Sequence, residues 1–189
     1  MSQFWGSLHY KLTPTGQYTL LYSFKKGPGA YPHALIQASD GKLYGTSLGY
    51  GGPSFLFRFT TAGQLTVLHE LSANDGVCTC YLTQGSDGII YGMAQNGGTF
   101  FALDAGLPKP APRAQHFSPK SGPVGTQVLL WGYNLLSAAV EFNGVAATQV
   151  SNSGPNYISA TVPTGATTGP ITITTPGGTF TTSDSFTVQ

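Results

Sequence analysis

Charge is scarce in this chain: only 8% of its 189 residues are Asp, Glu, Lys or Arg, against roughly 25% in an average soluble domain. Eight basic and seven acidic side chains nearly cancel, leaving a formal charge of +1. Binding nucleic acid or an anionic membrane surface needs a basic face, so the charge balance excludes both partners. Cysteine is scarcer still. The two thiols, Cys78 and Cys80, stand in Cys-Thr-Cys, and α-carbons two apart on a strand lie about 6.6 Å apart, at the edge of disulfide reach. A disulfide scaffold is therefore excluded. With no other cysteine and no paired histidine at a ligand spacing, no metal site and no cofactor is expected. Apolar runs are only a few residues long, which excludes a membrane-spanning segment. Met1-Ser2-Gln3-Phe4-Trp5 lacks the basic stretch that opens a signal peptide. Nucleophile-elbow, His-Glu-x-x-His and phosphate-loop motifs are missing too, so the common hydrolase and nucleotide-binding chemistries have no signature here.

Glycine (26), proline (13) and 23 aromatic residues (11 Phe, 10 Tyr, 2 Trp) are what the chain has instead. That is ample apolar material for a core, so low charge does not signify disorder. The first half repeats itself. Thr15-Gly16-Gln17-Tyr18-Thr19-Leu20-Leu21 returns as Ala62-Gly63-Gln64-Leu65-Thr66-Val67-Leu68, and Ser39-Asp40-Gly41-Lys42-Leu43-Tyr44-Gly45 as Ser86-Asp87-Gly88-Ile89-Ile90-Tyr91-Gly92; Gly16 and Gly63, like Asp40 and Asp87, are 47 residues apart. Leu8-His9-Tyr10-Lys11-Leu12 returns at Phe55-Leu56-Phe57-Arg58-Phe59 and, shortened, at Phe100-Phe101-Ala102-Leu103. Alternation such as Phe55, Phe57 and Phe59 against Leu56 and Arg58 predicts short strands. Asp-Gly between two apolar runs predicts a hairpin with a type I′ turn, in which both central residues have positive φ. Four short strands in a period of this length make one β-propeller blade. Two propeller-like four-stranded blades and a ninth strand are expected.

These residues, together with Leu12-Thr13-Pro14-Thr15-Gly16 and Gly97-Gly98-Thr99-Phe100, resemble the GloVer tandem repeat of bacterial surface proteins. The resemblance implies a propeller-like architecture and a surface habitat, and brings no catalytic residues with it.

Residues 1-107 are read as this repeat domain and 108-112 as a linker, because Leu107-Pro108-Lys109-Pro110-Ala111-Pro112 is a stiff, proline-rich spacer. From 113 to 189, alternating runs at Gln127-Val128-Leu129-Leu130-Trp131, Ala139-Val140-Glu141-Phe142, Tyr157-Ile158-Ser159-Ala160-Thr161, Pro170-Ile171-Thr172-Ile173-Thr174 and Ser185-Phe186-Thr187-Val188 predict an immunoglobulin-like β-sandwich. Phe117-Ser118-Pro119, Gly132-Tyr133-Asn134, Phe142-Asn143-Gly144-Val145 and Val162-Pro163-Thr164-Gly165 resemble the IPT/TIG domain. In bacteria that resemblance implies a spacer or accessory module of surface proteins and polysaccharide-active enzymes. The expected fold class is all-β throughout.

Candidate ligand-binding residues are aromatic. With Val128 and Leu130 at inward positions, Leu129, Trp131 and Tyr133 fall on the opposite face, an apolar stripe that implies a cover of protein, the preferred reading, or of a planar ligand such as a sugar ring. Trp5, Tyr31 and Tyr50 invite the same sugar reading in the first domain, whereas Tyr44 and Tyr91 follow the repeat as blade core. No catalytic residue is assigned; His69, Glu70 and Asp75 form the one compact acid/base-capable group and carry the alternative. Asp40 and Asp87 are explained by their turns. The expected function is an extracellular or cell-surface binding or scaffolding module of a bacterium, for glycans or other surface polymers, without catalysis. The alternatives are a hydrolase of a glycan, ester or lactone with its site in a propeller funnel, and a fragment of a larger propeller protein. Because two blades cannot close a ring, self-association is expected, with a homo-trimer of about 59 kDa from chains of 19.7 kDa preferred.

Overall fold

The computed structural model describes residues 8–23, 31–48, 54–72, 79–94 and 99–189. Among the described residues all regular structure is β-strand, as the alternating patterns require. The chain forms two compact units, one of residues up to Gln84 with Ile89–Leu107, the other of Gly85–Gly88 with Pro108–Gln189.

The first unit contains β1 (Leu8–Leu12), β2 (Tyr18–Ser23), β3 (Tyr31–Gln37), β4 (Leu43–Leu48), β5 (Ser54–Phe59), β6 (Leu65–Leu71), β7 (Thr79–Gln84), β8 (Ile90–Ala94) and β9 (Phe100–Leu103). They make three antiparallel sheets, in the orders β1-β2, β3-β4-β5-β6 and β7-β8-β9. The four-stranded sheet draws two strands from each of two successive sequence repeats.

The repeat extends to the register. Gly45 faces Phe57 and Gly92 faces Phe101, and a side chain on either glycine would run into the ring opposite. The aromatic ring fills the space above a residue that has to be glycine. Both β1-β2 and β5-β6 bulge at equivalent places, leaving Leu21 and Leu68 as the extra residues. The β3-β4 and β7-β8 pairs bulge at His33 and Cys80, so simple alternation fails at Cys80; Cys78 lies outside the described residues.

The Asp-Gly turns differ from expectation. Gly41 N–H donates to Ala38 O at 2.9 Å, and Ala38 N–H donates to Lys42 O at 2.9 Å. Gly41 and Gly88 have φ of 77° and 93°, but Asp40 and Asp87 do not have positive φ. This is a type I turn closed by a glycine bulge, not a type I′ turn. Asp40 serves the turn through its side chain, accepting from Lys42 N–H (3.0 Å), Lys42 Nζ (3.1 Å) and Tyr44 OH (3.1 Å). Burial pushes the Asp40 pKa up, but the Lys42 amide, the Lys42 ammonium and the Tyr44 hydroxyl outweigh it and hold the carboxyl below its usual range. A depressed folded-state pKa stabilises the fold above the unfolded value of about 4, and that contribution is lost as pH falls through the folded value. Asp40→Asn is therefore expected to lower the melting temperature at pH 7. Its gap to the parent should narrow below about pH 4, as calorimetry across an acid series would show.

The three sheets stack face to face. Buried Phe57 and Phe59 of the middle sheet receive Leu21 and Tyr22 of β2, the Tyr22 and Phe59 rings meeting edge-on at 5.7 Å. On its other side Ala38 and Tyr44 pack with Ile90, Leu82 and Leu103. The middle and last sheets approach most closely along β3 and β7, where Gln84 Oε1 accepts from Ser39 N–H (2.8 Å) and Gln84 Nε2 donates to Ser39 Oγ (2.9 Å).

In the second unit β10 (Arg113–Ser118), β11 (Ser121–Gly122), β12 (Gln127–Tyr133), β13 (Ala139–Phe142), β14 (Val145–Ala146), β15 (Val150–Asn152), β16 (Tyr157–Thr161), β17 (Gly169–Thr175) and β18 (Gly178–Val188) form two sheets, β10-β12-β16-β15 and β11-β18-β17-β13-β14. Val128, Leu130, Phe142, Ile158, Ile171 and Phe186 belong to their common core. Phe142 and Phe186 meet edge-on at 5.5 Å. A type I′ turn does occur here, at Asn143 (φ 46°) and Gly144 (φ 85°), joining β13 to β14. Pro108 to Pro112 belong to this unit: Pro110 O lies against Gly177 and Ala111 O accepts from Asn134 Nδ2 at 3.1 Å.

Candidate functional site

The outer faces of the two sandwich sheets differ in chemistry. On the β17-β18 side, Thr172 pairs with Thr181 (3.2 Å) and Thr174 with Thr179 (3.1 Å) through their hydroxyls, a solvent-exposed threonine ladder. The β10-β12-β16 side is aromatic. Core packing of Val128 and Leu130, both fully buried, turns Leu129, Trp131 and Tyr133 outward as the alternation requires.

Strand pairing then builds a row that no single strand reveals. His116 on β10 lies opposite Trp131, and Trp131 lies opposite Tyr157 on β16. The His116 and Trp131 rings stack, centroids 4.6 Å apart and planes 10° from parallel. Tyr133 (53% exposed) and Tyr157 (39% exposed) flank the half-buried Trp131. Within this unit the stripe is thus lined by rings and open to solvent at its ends. Beside His116 is a shallow recess of about 40 Å³ bordered by Phe117, Lys120, Phe180, Thr182 and Asp184. Lys120 Nζ donates to Asp184 Oδ2 at 2.7 Å and stands 3.7 Å over the centre of the Phe117 ring. The Lys120 ammonium, by hydrogen bond and by charge, lowers the pKa of Asp184. A flat ring surface next to charged donors and acceptors can hold a molecule with one apolar face and a polar rim.

The row depends on a close backbone approach. β10 bulges between Ala114 and His116, and Gly132 opposite has its Cα against Arg113 O, where no side chain could fit. His116 and Tyr157 were not among the sequence candidates. The inward Phe117 implies an outward His116, but the bulge at Gln115, which selects Trp131 as its neighbour, has no sequence signal.

The other candidates fall elsewhere. Tyr31 opens β3 in the first unit and is 41% exposed. Trp5, Tyr50 and Asp75 lie outside the described residues. Tyr44 is buried at 2% exposure as expected, whereas its repeat partner Tyr91 is 37% exposed, because Tyr91 sits on the uncovered face of the last sheet. His69 and Glu70 are consecutive on β6 and exposed, so they point to opposite faces. They also sit on the edge strand far from β3 and β7, where the sheets converge. The acid/base group expected around them in a funnel is not assembled by these two residues. Among the described residues no three His, Cys, Asp or Glu side chains group as metal ligands.

No family model and no curated protein matches the chain. Solved structures that resemble it include an auxiliary nutrient binding protein from Bacteroides thetaiotaomicron VPI-5482, 26% identical over 43% of this chain and 21% of that one, TM-score 0.38. Another is SGBP-B from a complex xyloglucan utilization locus in Bacteroides uniformis, 14% identical over 82% of this chain and 49% of that one, TM-score 0.44. A third is a protein solved with a xylogluco-oligosaccharide, 16% identical over 98% of this chain and 41% of that one, TM-score 0.41. The chain spans less than half the length of each. At these TM-scores the likenesses carry nothing over to this chain, and the GloVer and IPT/TIG resemblances stand on the residues quoted for them alone.

Proposed function

We propose that this chain is a non-catalytic binding and scaffolding module of the bacterial cell surface, in which an IPT/TIG-like sandwich contacts glycan and a GloVer-like repeat unit mediates self-association. The observation that carries the glycan reading is the His116-Trp131-Tyr157 row. Sugar rings offer an apolar C–H face and a rim of hydroxyls, the complement of an aromatic surface beside the exposed Lys120 and Asp184. Near-zero net charge suits a neutral polysaccharide. Retention in native gels cast with a panel of neutral polysaccharides is the test. At least one polymer should retard the protein without releasing product, and Trp131→Ala should weaken that retention at least tenfold, about 1.4 kcal/mol. Its fold should be kept, because Trp131 lies outside the sandwich core. Retention unchanged in Trp131→Ala overturns the site. Product release abolished by His69→Ala would establish the hydrolase instead. The self-association is that expected from the count of blades, two per chain, with a trimer as the preferred ring.

A further inference from the structure

The internal stack of the first unit shows what its two end faces are built to meet. Sheets follow one rule: the side of the middle sheet bearing Phe57 and Phe59 receives Leu21 and Tyr22 of β2, and the opposite side, bearing Tyr44, receives Ile90, Leu82 and Leu103 of the last sheet. Register equivalence extends that rule to the ends. On the last sheet, Tyr81 pairs with Met93 and Met93 with Phe100, in the places that Ala34, Thr46 and Leu56 hold in the middle sheet. Thr46 and Leu56 are covered, at 1% and 5% exposure, while Tyr81 is 75%, Met93 42% and Phe100 74% exposed. A concavity of about 150 Å³ lies between Tyr81, Tyr91, Met93 and Phe100. At the other end, Leu12 is equivalent to Phe59, which is 3% exposed, and Tyr18 to Leu65, which packs against the Phe57-Phe59 pair. Leu12 is 61% and Leu20 49% exposed, on the side of β1-β2 that points away from the middle sheet, beside Tyr18 at 56%.

We infer that these two faces bind each other between copies: the Tyr81-Met93-Phe100 face of one chain packs on the Leu12-Tyr18-Leu20 face of a second copy, head to tail. This rests on the self-association proposed above and assigns its surfaces. The two faces lie at opposite ends of a three-sheet stack, with the middle sheet between them, so they cannot meet within one chain. A second copy is the fitting occupant because its β1-β2 face is the repeat equivalent of the Phe59 side, continuing the interface already made inside the unit. A contact between two different patches is heterologous, closing into a ring or extending as a chain.

Light scattering on the whole chain at micromolar concentration tests this, with glutamate placed on one face at a time; both positions are exposed, so the fold should persist and circular dichroism should be unchanged. The parent is expected to exceed the 19.7 kDa of one chain at least twofold. Phe100→Glu and Leu12→Glu should each run as monomers. Mixed in equal amounts they should form a capped dimer of about 39 kDa, two chains of 19.7 kDa, since each retains the face the other has lost. A monomeric parent overturns self-association altogether. A parent oligomer that both variants retain, or a mixture that stays monomeric, overturns this pair of faces while leaving self-association standing.

Discussion

Gly132→Ala is expected to destabilise the second unit by about 3 kcal/mol or more, near the upper end for overpacking a dense interior. A Cβ at Gly132 would sit within the van der Waals envelope of Arg113 O, with Arg113 C and Ala114 Cα also close, at 2.8 and 2.9 Å. Three backbone atoms cannot swing aside as a flexible side chain can. Relief requires β10 to part from β12, yet Ala114 and Phe117 are anchored in the core with Leu130. The same movement would take His116 off Trp131, so polysaccharide retention should fall along with stability. Two readouts then separate the effects: Trp131→Ala should lose retention with only a small drop in melting temperature, whereas Gly132→Ala should lose retention together with much of the stability. A Gly132→Ala protein that melts with the parent would mean that the bulge at Gln115 is soft and the row is not fixed by it.

How much of this was legible in the sequence follows from what each feature depends on. Strand positions were readable because burial of one face imposes period two: Val128 and Leu130 turn inward, and Trp131 is carried outward with them. The repeat was readable because equivalent residues do equivalent jobs, Gly45 under Phe57 and Gly92 under Phe101. Sheet boundaries were not. A repeat has the same sequence wherever its period is cut, so nothing in it says that β5 and β6 join β3 and β4 rather than β7 and β8. Bulges were equally hidden. The extra residues at Leu21, Leu68 and Gln115 have ordinary sequence contexts, and each one sets which side chains meet across the strands. Asp-Gly marks the place of each turn but not its type, because the Asp40 carboxylate, accepting from Lys42 N–H, stabilises a type I turn in which only the glycine needs positive φ. The aromatic row combines both cases: Trp131 and Tyr133 were found by alternation, and His116 and Tyr157 only by pairing.

Phe57→Ala is expected to cost about 3 to 5 kcal/mol, the range for truncating a buried aromatic ring, a large share of the 5 to 15 kcal/mol that holds a typical domain. Phe57 is 1% exposed, fills the space above Gly45 and forms with Phe59 the layer that Leu21 and Tyr22 close. Removing it leaves a cavity at a glycine, which has no side chain to collapse into the gap, and loosens the contact between the first and middle sheets. The repeat supplies an internal control. Phe101 makes the same approach to Gly92 but is only half-buried, so Phe101→Ala should cost clearly less. If the glycine-ring pair alone set the energy, the two variants would fall together; if the stacking of sheets sets it, Phe57→Ala should exceed Phe101→Ala by more than about 1 kcal/mol. Urea titrations followed by tryptophan-independent circular dichroism measure both. Equal losses would show that the fuller burial of Phe57 adds little beyond the contact each ring makes with its glycine.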